Sequence, residues 1–417
     1  MSTTILRRRP SVSSRPTRRP VRTQRLPAGR MSAAGRATPE SIWLIVVGVG
    51  LLLLGLVMTF SASFVQATAQ TGDAFEVFAR QAFWASLGLP LAIVAATVDY
   101  RRWQRITPFA VVATLAAMLL VLIIGEEING ARRWFALGPF SLQPAEIIKL
   151  TLPAYTAYVL STRWPRIRRG DLVAMLVPSL PIVILAATLV ALSPDVESAV
   201  LAALIGMTPL FIAGMPLRLM TLGGAVLAGI AAWSIHSTPY RLGRMAAWLD
   251  PTNEAFRDGY GYQTTQGFIA LGNGGIFGVG LGQGRGKWLY VPNAHTDFIY
   301  AIIGEELGMI GGIVVLLAFL ALAFVGCRVA SRAPDMFGRF MAAGITVWLT
   351  LQAAINISSV VGVLPVTGVT LPLVSFGGSS LVITMIGVGV LIAVARQATP
   401  DGKPLLLDAV QKRDADG

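Results

Sequence analysis

Charge is scarce in this chain. Asp, Glu, Lys and Arg make up 13% of its 417 residues, against roughly a quarter in soluble domains. With 54% hydrophobic residues and a mean hydropathy of +0.66, the deficit excludes an ordinary water-soluble globule. A single cysteine, Cys327, excludes any disulfide within the chain and is read as an inert thiol at the end of a span. Two histidines beside that one cysteine leave no Cys/His cluster for a metal. Neither a Ser–His–Asp spacing nor a redox motif stands out.

What the chain does have is long uncharged runs. A spanning helix needs about 20 apolar residues, and such runs occupy 42–60, 106–125, 172–194, 198–217, 219–240 and 307–326. Residues 340–395 carry no charge at all and are split by "GVLPVTGVTLP", so they read as two spans. Adding 82–98 and 142–162 predicts an all-α polytopic integral membrane protein with about ten transmembrane helices.

The net charge of +13 is unevenly placed: residues 1–40 hold ten arginines against one acid, Glu40. Rich in Arg, Pro and Ser, this stretch reads as a disordered basic tail. A span follows at once, so the tail is read as a cytoplasmic anchor on membrane lipids rather than a nucleic-acid-binding arm. With the N-terminus inside, the basic segments Asp99–Arg105, Ser161–Arg169 and Arg328–Arg339, together with a tail from 397 to 417, also fall inside. The transmembrane domain is then 41–396. Its outer face carries the loop 125–143 and a much longer one, 237–297, too long for a mere connector.

Chemistry is expected on that face. "QPAEIIKL" (143–150) puts Glu146 and Lys149 one turn apart at the start of a span, where charges are costly and face a bundle interior or a watery cavity. Either they form a structural ion pair, or Lys149 supplies positive charge for an anionic headgroup with Glu146 orienting it. Arg132 and Arg133 add a guanidinium pair suited to phosphate. In "HTDFIYAIIGEELG" (295–308), Asp297 lies at the mouth of the next span beside His295, placed to act as a general base or to hold a divalent ion. Glu305 and Glu306 would lie about two turns deeper, read as interhelical ion-pair candidates. The stretch "GNGGIFGVGLGQGRGK" has eight glycines but no P-loop context. From the residues alone, the chain is a polytopic protein with an outward-facing, charge-lined cavity for an anionic amphiphile.

The blocks "NGARRWFALGPFSLQPAEIIKL", "GYGYQTTQGFIALGNGGIFGVGLGQGRGKWLYVPNAHTDFIYAIIGEELG" and "LPVTGVTLPLVSFGGSS" resemble the signatures of the SEDS family, whose members include FtsW, RodA and SpoVE. The resemblance covers about residues 40–396 and is nearest the FtsW division branch. "SPDVESA" (193–199) stands where the family usually has "QPDLGTA", keeping Asp195 and adding Glu197. The resemblance implies a ten-helix peptidoglycan glycosyltransferase that polymerises lipid II into a growing glycan strand and releases undecaprenyl diphosphate. It would act on the outer face of the cytoplasmic membrane at the division septum, with a class B penicillin-binding protein transpeptidase and other divisome proteins as partners. It implies Asp297 as the catalytic residue, Arg133 and Lys149 as functional basic positions, and a divalent cation, Mg2+ or Mn2+, with Asp297 a candidate ligand. Glu146, Arg132, His295, Thr296, Gln263, Lys287 and Ser379 are the further substrate-binding candidates. Asp195 joins Glu305 and Glu306 as a structural or ion-pair candidate. A lipid II flippase, an elongation polymerase of the RodA kind and a non-catalytic divisome scaffold are the alternatives.

Overall fold

A computed structural model describes residues 37–398 apart from Asn129, Gly130, Pro139, Thr252, Asp258 and Leu289. The basic N-terminal tail up to residue 36, and the C-terminal tail from residue 399, lie outside the described residues.

The first three helices are α1 (Pro39–Thr71), α2 (Glu76–Thr97) and α3 (Arg101–Ile124). Thr38 caps α1 reciprocally with Ser41, with Pro39 in the first turn, and Gly72 in the left-handed region stops it. A small antiparallel sheet follows: β1 (Glu126–Ile128), β2 (Ala131–Leu137) and β3 (Phe140–Leu142), in the order β1-β2-β3. The remaining elements are α4 (Pro144–Thr162), α5 (Trp164–Ile167), α6 (Leu172–Leu192), α7 (Val196–Ile212), α8 (Leu217–His236), α9 (Pro239–Leu249), α10 (Glu254–Arg257), α11 (Tyr262–Gly274), α12 (Ile299–Arg332), α13 (Met336–Val360) and α14 (Gly378–Arg396).

Among the described residues, eight helices are long and apolar enough to cross a membrane: α1, α2, α3, α6, α8, α12, α13 and α14. α4, with its buried ion pair, and the 17-residue apolar α7 pack among them and bring the number to the expected ten. α13 and α14 are the most deeply buried of the eight; α8 buries only Ser234. Leucines, isoleucines and valines stay exposed on the outer helices, the pattern of a bundle solvated by lipid rather than water. The end where α1 begins and α14 finishes carries ion networks. Glu40 pairs with Arg328 at 2.8 Å and Arg332 at 2.6 Å. Asp335, the N-cap of α13, accepts from Tyr100 at 2.6 Å and Arg101 at 2.9 Å. This is the basic end; the long loops lie at the other.

The last span before α13 starts earlier than the apolar run over 307–326 predicts. α12 begins at Ile299 and is broken at Gly308, whose φ of 70° and ψ of −170° leave the helix. Glu305 and Glu306 therefore end a short leading segment instead of sitting within one continuous span. Only glycine fits the break: a Cβ on Gly308 would lie 2.3 Å from the Gly278 nitrogen.

Candidate active site

The two glutamates at this break organise the glycine-rich loop. Glu305 accepts the backbone N–H groups of Arg285 and Gly286 at 2.9–3.2 Å. Glu306 accepts the Gly282 N–H at 3.0 Å, both of its oxygens face the Ser61 hydroxyl, and the Lys287 ammonium lies 2.8 Å away. Lys287 and Glu306 side chains are 0% exposed, and the ammonium stacks on the Phe64 ring at 4.8 Å. Lys287, expected among the substrate contacts, is corrected to an internal counter-ion: its charge is consumed by Glu306 and it reaches no opening. This clasp delivers the chain to Asp297, just ahead of α12.

Asp297 is 8% exposed. Its main-chain carbonyl accepts from the Asn356 amide at 2.8 Å, and the same amide donates to Val369 O at 2.7 Å. Its Oδ1 accepts from the Thr296 hydroxyl at 3.1 Å, and a Cβ built on Gly368 would lie 4.0 Å from Oδ2, in ordinary contact. Burial pushes the carboxyl above its ordinary 3.8, against the smaller opposing pulls of Thr296, the backbone, Arg244 and Gln263. Gln263 also donates to Pro292 O at 3.2 Å. His295 lies against Phe376 at 5.5 Å, and its carbonyl accepts the Phe376 N–H at 2.9 Å. Burial holds its imidazole below 6.5, neutral at pH 7, and its Nδ1 has no partner.

One turn along α13 from Asn356 is Gln352, about 6 Å lower at 1.5 Å per residue. Its amide donates to Thr370 O at 3.0 Å, while its oxygen accepts from Trp348 at 2.8 Å and from Lys149 at 3.2 Å. Lys149 also meets Glu146 at 2.7 Å. The segment 368–370 thus joins the Lys149 layer to the Asp297 layer, with Gln352 and Asn356 as paired clamps. Gln143, the N-cap of α4, donates its N–H to Ser379 at 3.3 Å at the start of α14, and Gln81 of α2 holds Ser375 O at 3.2 Å.

Arg133 and Arg132 do not act as a pair. Successive residues of a strand point to opposite faces. Arg132 is half-exposed against Glu127 at 3.4 Å. Arg133 turns inward to Ser193 O at 2.7 Å, Pro194 O at 2.6 Å and Asp195 at 3.5 Å. Asp195 in turn caps α7 by accepting from Ser198 N at 3.1 Å. The cleft between Arg133, Gln143 and Asp195 is about 10 Å3, room for one water. Met118, Val121, Ala145, Val190 and Ser193 complete its lining, so Arg133 faces a small cleft here and not an open, charge-lined cavity.

Residues that sequence reasoning missed sit on α13 and α9. Gln352 and Asn356 are single amides inside an uncharged run; their signal was polarity at i and i+4 on one helix face. Arg241 and Arg244 are three apart on α9, over the same end. Arg241 donates to Pro194 O at 3.1 Å, and Arg244 covers Tyr240 at 5.3 Å and acts on Asp297 through its charge.

A ten-helix membrane bundle with a desolvated carboxylate at one end, fixed by a buried amide and under the charge of Arg244, is the class these features define. Residues 42–400 match the family profile described as cell cycle protein, FtsW/RodA/SpoVE. Over 392 residues the chain is 39% identical to a probable peptidoglycan glycosyltransferase FtsW of Mycobacterium tuberculosis, covering 90% of this chain and 74% of that protein. It is 38% identical over 367 residues to the stage V sporulation protein E of Bacillus subtilis, 87% of this chain and 98% of that one. Among solved structures it matches a chain of a peptidoglycan synthase complex, at 28% identity and a TM-score of 0.67, over 85% and 96% of the two chains. It matches the rod shape determining protein RodA of Thermus thermophilus at 28% identity and a TM-score of 0.63, over 86% and 97%. The chain belongs to the FtsW/RodA/SpoVE family.

Proposed function

We propose that the protein is a peptidoglycan glycosyltransferase that polymerises lipid II at the outer face of the cytoplasmic membrane, in septal wall synthesis, with both termini cytoplasmic. The names of its relatives and the matched synthase complex support the reaction class. The observation that carries it is Asp297: a buried carboxylate, fixed through its own backbone by Asn356, at the mouth of α12. Raised by burial, it is a stronger base than a solvated aspartate once ionised. The acceptor sugar's 4-hydroxyl gives its proton to Asp297 as its oxygen bonds to the donor's anomeric carbon. The bond from that carbon to the phosphate oxygen breaks, and the electron pair leaves with undecaprenyl diphosphate. Arg244, whose charge acts on Asp297, would meet the growing negative charge, while Arg133 holds the Ser193–Asp195 turn against β2. Lys149, neutralised by Glu146, contributes mainly by holding Gln352 and with it segment 368–370.

A divalent cation finds one carboxylate here. Among the described residues no three of His, Cys, Asp and Glu group together, and the amides and hydroxyl around Asp297 do not complete an oxygen cage.

A class B penicillin-binding protein fits as partner, since the matched chain comes from a complex that coordinates polymerization and crosslinking. The test uses purified protein with lipid II, with and without that partner. Asp297→Asn is expected to fold normally and make no glycan strands. Full polymerisation by Asp297→Asn removes the aspartate from the mechanism, and headgroup translocation in liposomes without polymer makes the protein a flippase.

A further inference from the structure

A groove of about 450 Å3 lies between α1, α2 and α14, within the range of pockets that bury a small ligand. Its walls are almost wholly apolar, running along α1 from Ser41 to Leu52, and it is capped at depth by Leu373. Its back is closed where α14 touches α2: a Cβ on Gly389 would lie 2.4 Å from Ala92 O. Its side opens towards lipid. Arg396 lines the basic end, with Nη1 donating to Ala96 O at 3.5 Å.

Length decides what fits. The eleven steps from Ser41 to Leu52 at about 1.5 Å each give about 16 Å, close to half of a hydrocarbon core about 30 Å thick. A partner's transmembrane helix needs the full thickness, whereas this groove stops at mid-membrane. A lipid chain from one leaflet matches both its depth and its apolar lining. The cation at its mouth, among the exposed Arg102 and Arg105 of the same end, complements an anionic headgroup.

We propose that this groove is a binding site for one anionic phospholipid of the leaflet at the basic end, with an acyl chain along α1 and the phosphate against Arg396. The inference stands apart from the polymerase reading. To test it, the full-length protein in mild detergent is offered equal dioleoyl-phosphatidylglycerol and dioleoyl-phosphatidylcholine, and the retained lipid is counted by native mass spectrometry. Wild type is expected to retain one phosphatidylglycerol. Ile45→Trp, which fills the groove, loses it. Leu53→Trp adds the same ring at a position 57% exposed outside the groove and keeps it. Arg396→Gln still binds lipid but loses about fivefold of the preference for phosphatidylglycerol, the worth of one Arg near an anionic surface. Equal retention by Ile45→Trp and Leu53→Trp, or no preference between the two lipids in wild type, overturns the proposal.

Discussion

Replacing Lys149 with methionine removes the cation that Glu146 faces across 2.7 Å. The lysine side chain is 3% exposed and the glutamate 10%, and Glu146 Oε2 already lacks a partner. Leaving one member of such a buried pair uncompensated costs about 3–5 kcal/mol. Gln352 keeps its Trp348 donor at 2.8 Å, so the loss is concentrated on the stranded carboxylate. Glu146→Gln combined with Lys149→Met removes both charges and is expected to recover most of the loss, since pairs replaced together are often near neutral. Reversible unfolding in detergent, run as a double-mutant cycle, reads the coupling, expected to be about 2 kcal/mol or more. Additive losses refute the reasoning: the pair would then be no more than two independent side chains. Polymerisation by the same variants separates roles, because a stable and active double variant confines Lys149 to holding the bundle together.

Asp297 has its folded pKa raised by burial, so its contribution to stability is present below the ordinary value near 3.8 and lost as pH rises through the folded value. Asp297→Asn should therefore melt higher than wild type at pH 7, with the gain shrinking as pH falls; a gain independent of pH contradicts this. The same shift places the acidic limb of the polymerisation profile above 3.8. Asn356→Ala strands the buried carbonyls of Asp297 and Val369 and should cost about 2–4 kcal/mol in stability, with kcat falling more than lipid II affinity; steady-state kinetics on the folded fraction check it. Gly308→Ala, at φ 70° and against the Gly278 nitrogen, should cost about 1–3 kcal/mol from backbone strain alone, and a melting temperature equal to wild type would mean that the break relaxes freely.

Most spans were legible because a hydrocarbon solvent demands long uncharged runs, and nothing else in a chain looks like 42–60 or 340–395. The site was legible in part. Asp297 and the Glu146–Lys149 pair stand out because formal charge at a span boundary needs a reason. What surrounds them was not legible, for three physical reasons. The start of α12 was legible from Asp297, but its break at Gly308 was not, because an apolar average does not register one glycine leaving the helix. Arg132 and Arg133 looked like one cationic fork until a strand turned them apart. Gln352 and Asn356 carry no charge, so an apolar average runs straight over the two amides that position segment 368–370. Lys287 shows the converse error: a cation in an outer loop was read as available, when folding had already given it to Glu306.

The clasp around Glu305 and Glu306 also dictates where this protein will accept foreign sequence. Each carboxylate grips amides at fixed offsets, Gly282 on one side and Arg285 with Gly286 on the other, so adding a single residue between them would throw the thread out of step with its two hooks. A fluorophore site or epitope placed there should scramble the whole outer face.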